Sequence, residues 1–247
     1  MKTKIKTFKL TIALCLMFLL PMGVMAAPIA YVCGSGSVAL KYDGTSPYTL
    51  VNGDLVIWQQ VDDNGTPIGG AISKTYNGTA SSTDLVLTGG TELTTAGEYF
   101  YRVHVVASTA GSCTGDPADA ISVYRLPAFT VALSSTVASY CAGGSTNSTP
   151  AVVTATATPA SGTFPAGVSV TYDWAGSTGG AVDGTDNAKY NFGATNTAAT
   201  YNVSAKGTFA VPSGTLLKSD ATAGCTATGT TSVIVTPVPG KPTITAS

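Results

Sequence analysis

Very few residues of this chain are equipped for chemistry. It carries one histidine, two glutamates and five cysteines in 247 residues. His104 lies in RVHVV, on the face of a strand that also carries Arg102 and opposite Tyr99, Tyr101, Val103 and Val105. A Ser-His-Asp triad needs its histidine in a cleft between a nucleophile and an acid, and a solvated strand position is the reading that fits here. A zinc site needs several converging Cys, His or carboxylate ligands; one histidine and widely separated cysteines supply no such motif. Glu92 and Glu98 are the only glutamates, both near one turn, so a carboxylate pair for glycosidase work would have to come from few acids. Two loops are rich in oxygen, Val61-Asp62-Asp63-Asn64-Gly65 and Val182-Asp183-Gly184-Thr185-Asp186-Asn187. Calcium takes six to eight such ligands, but neither loop has the EF-hand spacing, and tight-turn chemistry accounts for both. No catalytic, cofactor-binding or metal residue is assigned, and no cofactor is expected. Six aromatics, Tyr48, Tyr76, Phe100, Tyr124, Tyr190 and Phe192, are candidates for stacking on sugar rings, although strands favour tyrosine and phenylalanine for packing alone.

The start of the chain says where these residues work. Four lysines (Lys2, Lys4, Lys6 and Lys9) precede an apolar stretch from Leu10 to Leu20, then Pro21 and small residues ending Val24-Met25-Ala26. That is the pattern of a cleaved secretory signal over residues 1–26. The apolar run is short for a membrane span, which needs about 20 residues, and no later stretch reads as one. Removal of the signal leaves 8 of the 12 basic residues against all 13 acidic ones, a net charge of −5. Such a surface repels phosphate, so nucleic acid is not an expected partner. The mature chain keeps Cys33, Cys113, Cys141 and Cys225, an even count that in an exported protein implies two disulfides. Four cysteines allow three connectivities.

The elements that position these residues come in two copies. Cys33, Trp58, Tyr99 and Cys113 recur in order as Cys141, Trp174, Tyr201 and Cys225, with the outer cysteines 80 and 84 positions apart. TAGEY (residues 95–99) matches TAATY (residues 197–201), and each copy ends in a β-rich run with a proline. The reading is a repeat over 27–127, a second over 128–239, and a linker or the start of a third repeat over 240–247. In VSVTYDWAGS, Val168, Val170, Tyr172 and Trp174 share one face and Ser169, Thr171, Asp173 and Ala175 the other, the period of a half-buried strand. ATYNVSAKG alternates likewise. DLVIWQQV is less regular: with Val56 and Trp58 inward, Leu55, Ile57 and Val61 point outward and need cover from a loop or the neighbouring repeat. Turn signals at Asp63-Asn64-Gly65, Asn77-Gly78 and Gly89-Gly90 separate the strands. No sustained helical period exists in the mature chain. Many short strands with regular turns predict an all-β fold of two tandem β-sandwiches.

The chain resembles the tandem immunoglobulin-like repeats of bacterial secreted and cell-surface proteins. Trp58 and Trp174 match the core tryptophan of the third strand, and Tyr99 and Tyr201 the tyrosine near the start of the sixth. The resemblance runs from about Pro28 to Pro239. It implies a non-catalytic structural or adhesive module, secreted or held at the cell surface, whose partner is an unknown extracellular protein or glycan, or neighbouring repeats; a carbohydrate-binding module is the first alternative and an accessory domain of a secreted hydrolase the second. One departure stands out. Two residues after each corner tyrosine, where the family's core cysteine belongs, stand Tyr101 and Val203. The cysteines lie at the strand margins instead. The expected pairing is one bridge per repeat, Cys33–Cys113 and Cys141–Cys225, with a Cys113–Cys141 bridge between repeats as the rival. The tail Thr243 onward imitates the opening strand of the second repeat, which makes the chain the amino-terminal part of a longer array or one ending inside a third repeat.

Overall fold

Alternating apolar and polar residues with glycine at the turns give strands throughout. The structure, a computed structural model, describes residues 27–42, 48–108, 114–143, 149–176, 179–194, 196–219, 225–240 and 242–244. The expected signal segment lies outside the described residues. The first seven strands are β1 (Ala30–Val32), β2 (Ser37–Leu40), β3 (Leu55–Val61), β4 (Ile72–Thr75), β5 (Leu85–Thr88), β6 (Gly97–Val106) and β7 (Ile121–Arg125). The next six are β8 (Phe129–Ser135), β9 (Ser139–Cys141), β10 (Val152–Pro159), β11 (Ser169–Gly176), β12 (Gly180–Val182) and β13 (Lys189–Phe192). β14 (Ala199–Ala210), β15 (Leu216–Lys218) and β16 (Thr226–Thr236) complete the order. Among the described residues the helical content is one 3-10 turn, Ala80–Thr83.

Strand order defines the architecture. The later strands form two four-stranded sheets, β12-β13-β10-β8 and β11-β14-β16-β9. Taken in sequence, that is the A-B-E-D sheet and the C-F-G sheet of an immunoglobulin-type sandwich. β9 runs parallel on β16 as a detached piece of the opening strand. The earlier strands repeat the plan with a smaller back sheet. β2 and β5 pair antiparallel and face the sheet β15-β1-β7-β6-β3-β4, in which β1 runs parallel on β7. The fold is therefore all-β, two antiparallel β-sandwiches of immunoglobulin-like order.

The interior of each sandwich comes from one face of each strand. Val38, Leu40, Val56, Trp58, Leu85, Leu87, Leu93 and Val123 fill the first. The Trp58 indole N–H donates to the Thr83 carbonyl at 2.8 Å, so its one polar atom is satisfied. In β11 the outward set Ser169, Thr171, Asp173 and Ala175 is exposed and Val168 is buried, as the alternation predicts. Trp174 is only half buried; its indole N–H donates to the Asn187 carbonyl at 2.8 Å and its ring tilts against Tyr190 at 5.5 Å. In β3, Val61 is buried beside Pro67, with which it forms a bridge, while Leu55 and Ile57 stay half buried. The loop thus covers one of the three outward residues.

Both tyrosine corners are present. The Tyr99 hydroxyl donates to the Thr95 carbonyl at 2.9 Å and accepts the Thr95 N–H at 2.9 Å. The Tyr201 hydroxyl donates to the Thr197 carbonyl at 3.0 Å. Tyr101, in the slot of the missing cysteine, is buried, and burial pushes its hydroxyl up to about 12. At the far end, Pro242, Thr243 and Ile244 form no strand, and Ile244 is 95% exposed.

Candidate functional site: a covalent joint and an aromatic cleft

The two sandwiches meet in a joint built from β1 and β15. The connection between β14 and β16 leaves its own sandwich and lays β15 beside β1, in parallel, with Ala30 opposite Leu216 and Val32 opposite Lys218. The Leu216 N–H donates to the Ile29 carbonyl at 3.2 Å, and the Cys33 N–H donates to the Lys218 carbonyl at 3.1 Å. Gly36 lies so close that a β-carbon there would sit 2.5 Å from the Lys218 carbonyl oxygen, so only glycine fits this approach. Side chains close the joint from beneath. Tyr31, Cys33 and Leu126 share one buried cluster with Phe129, Val131, Phe209 and Cys225. The Phe129 and Phe209 rings lie 4.6 Å apart, and Phe164 packs edge-on against both.

A disulfide locks it. Cys33 bonds to Cys225, 192 positions away, with Cα atoms 5.5 Å apart. This overturns the expected bridges Cys33–Cys113 and Cys141–Cys225. The physical reason is strand geometry. Cys225 sits just before β16, whereas Cys141 ends β9, opposite Thr236 at the other end of β16. At about 3.3 Å per strand residue those positions are roughly 35 Å apart, far beyond disulfide reach. The Cys141 sulfur instead lies 3.8 Å from the Thr236 hydroxyl. Cys113 lies outside the described residues, and with it the rival Cys113–Cys141 bridge.

The residues considered for chemistry do not come together. His104 faces Ile57 across the β3–β6 ladder. Glu98 stands six residues earlier on the same face of β6, roughly 20 Å away along the strand. Glu92 accepts the Thr88 N–H at 2.9 Å and shapes its own turn. The acidic loops are turns held by their own carboxylates. Asp62 accepts the N–H groups of Asn64 and Thr66 at 2.9 and 2.7 Å. Asp183 accepts the hydroxyl and N–H of Thr185 and the Asn191 amide at 2.7, 2.8 and 3.0 Å. These bonds hold both carboxyls below the usual range. Among the described residues no cluster of three His, Cys, Asp or Glu side chains has metal-holding geometry.

The aromatic candidates separate. Tyr190 and Phe192 are buried in the second sandwich. Tyr124 packs against Tyr31 at the joint, ring centroids 6.0 Å apart. Phe100 is half buried on β6. Tyr48 and Tyr76 are the pair brought together. With Tyr42, which sequence reasoning passed over, they line a cleft of about 200 Å³ beside Thr49, Leu50 and Thr83.

Beneath the cleft lies a buried carboxylate, Asp54. Its oxygens accept the Val51 N–H, the Ser108 N–H and the Tyr48 hydroxyl, each at 2.8 Å. The Val51 N–H foremost, then that of Ser108, lowers its carboxyl from the ordinary value to about 2. The sign follows. A carboxyl depressed in the fold stabilises it above the unfolded value near 3.8 and loses that contribution as pH falls toward 2. Asp54→Asn is therefore expected to be less stable than the parent at pH 7, with the gap shrinking between pH 4 and pH 2. Urea melts at pH 7, 4 and 2.5 check this; a gap constant with pH would contradict it.

No protein-family model matches the chain, and no curated protein matches it. Among solved structures, murine CEACAM1b is similar at 10% identity and a TM-score of 0.36, covering 85% of this chain and 96% of that one. The fibronectin(III)-like modules of Clostridium thermocellum CbhA give 13% identity and a TM-score of 0.35, covering 87% and 93%. Invasin, a bacterial integrin-binding protein, gives 14% and 0.28, with 87% of this chain on 38% of that one. At such scores the fold assignment rests on the strand order of the chain itself.

Proposed function

We propose that the chain is a non-catalytic extracellular module with a structural or adhesive role, made of two immunoglobulin-like repeats held in one fixed relation. The observation that carries this reading is the joint. A buried disulfide between Cys33 and Cys225, a strand passed from one sandwich to the sheet of the other, and a shared apolar cluster serve rigidity. A bridge of this kind forms and persists in an oxidising compartment, which agrees with the export signal read in residues 1–26. The few charges and the scattered titratable groups suit a surface that spaces or displays. The repeats are read as residues 27–127 and 128–239, a reading supported by the recurrence of Cys, Trp, Tyr and Cys in each copy; β15 of the second pairs with β1 of the first.

The test is made on intact cells of the source organism. Trapping thiols with an alkylating reagent before lysis is expected to find Cys33 and Cys225 oxidised, and protease added outside is expected to degrade the protein, or the medium to contain it. Finding the chain reduced and protected inside the cell would overturn the reading.

A further inference from the structure

We propose that the cleft between Tyr42, Tyr48 and Tyr76 binds one ring of a neutral glycan. This rests on the adhesive reading and names the chemistry that the surface would take. The cleft combines what a sugar ring needs. Aromatic faces meet the C–H face of a pyranose, and hydroxyls meet its edges. Three tyrosines with Leu50 supply the first, and Thr49 with the Tyr42 and Tyr76 hydroxyls supplies the second. Among the described residues that line the cleft none is charged, and the net negative charge of the chain disfavours anionic sugars and phosphates.

The walls are pre-set, which lowers the ordering cost of binding. Tyr48 is 37% exposed, yet its hydroxyl is tied to buried Asp54 at 2.8 Å, so the ring is held while its surface stays open. Thr83 is buried at the floor, with its carbonyl fixed by the Trp58 indole. Tyr42 and Leu50 pack against the first core. Size decides how much of a ligand enters. A volume of about 200 Å³ lies below the roughly 300–1,000 Å³ of pockets that engulf a whole ligand. One ring is gripped while the rest of the glycan lies outside, so single-site affinity is weak and gains by display in many copies. A proline-rich peptide also uses aromatic surfaces, but it needs an extended groove with spaced ring sites; this cleft holds one ring and offers hydroxyl edges.

The test uses the full mature chain on an array of neutral glycans. It is followed by titration with the best oligosaccharide and with a decaproline peptide, read by Trp58 fluorescence and tyrosine ring NMR signals. At least one neutral oligosaccharide is expected to shift these signals saturably, with a dissociation constant between about 0.1 and 10 mM. Tyr76→Ala, at a half-exposed position, is expected to weaken that binding at least tenfold with little change in melting temperature. Tyr42→Ala should do the same, and if it unfolds, Tyr76→Ala carries the test. No binding on the array, binding unchanged by Tyr76→Ala, or saturation by decaproline alone would overturn the proposal. None of those results bears on the oxidised, extracellular state of the chain, so the two readings fail separately.

Discussion

Trp58→Ala is expected to cost about 3–5 kcal/mol of folding stability. The side chain is 1% exposed at the centre of β3, between Val103 of β6 and Ile72 of β4. Truncation leaves a cavity and removes the N–H that satisfies the Thr83 carbonyl, in a residue that is itself buried. An orphaned buried acceptor adds about 1–3 kcal/mol to such a change. Trp58→Phe separates the two effects: it keeps most of the volume and still orphans the carbonyl, so it should fall between parent and alanine. Trp174→Ala should cost less, about 2 kcal/mol, because that indole is half buried and its partner carbonyl on Asn187 reaches solvent. The check is urea unfolding with the slope held constant across variants. A Trp58→Ala loss no larger than that of Trp174→Ala would contradict the packing described. For domains stabilised by about 5–15 kcal/mol, the expected loss is a large fraction of the whole.

The contrast between the two tryptophans shows where the sequence is legible. The period of β11 puts Trp174 on one face with buried Val168, and the TAGEY and TAATY runs are the stretches in which the Tyr99 and Tyr201 hydroxyls bond to Thr95 and Thr197. What the pattern does not carry is the neighbour. β3 is covered on its outer side by β4, whereas β12 pairs with β13 and leaves β11 at the sheet edge. The same face therefore buries one tryptophan fully and the other by half. The joint was less legible still. Residues 211–225, VPSGTLLKSDATAGC, show no alternation, and a three-residue strand such as β15 is too short for a period to appear. Similar cysteine spacing within each copy points to bridges inside the repeats, but pairing is decided by which margins the strands bring together. The cleft was half legible for a related reason. Tyr48 and Tyr76 stand out as aromatics near turns, while Tyr42 joins them only once the path of the chain after β2 is known.

The joint gives the second large effect. A bridge that closes a loop of 192 residues is worth about 5 kcal/mol in the loop-entropy account. The variant Cys33→Ala, Cys225→Ala is therefore expected to lose up to that amount relative to the oxidised parent, and its loss should appear mainly at the joint. Among the described residues, the strand pairing of β15 with β1, the apolar cluster around Phe129 and the chain passing from β7 to β8 then hold the sandwiches together. β15 makes three residue pairs with β1 and has Leu216 53% exposed, so it is the weakest pairing to depend on the bridge. Amide exchange should accelerate at Cys33→Ala itself and at Leu216, whose N–H groups cross the joint in the parent. It should stay slow along β14, where ten residue pairs with β16 lie within one sandwich. A peptide map of the unreduced parent is the direct check, with Cys33 joined to Cys225. A dominant Cys33–Cys113 peptide would refute the joint, and equal exchange changes in β14 and β15 would mean that the bridge supports the whole fold rather than the contact between its halves.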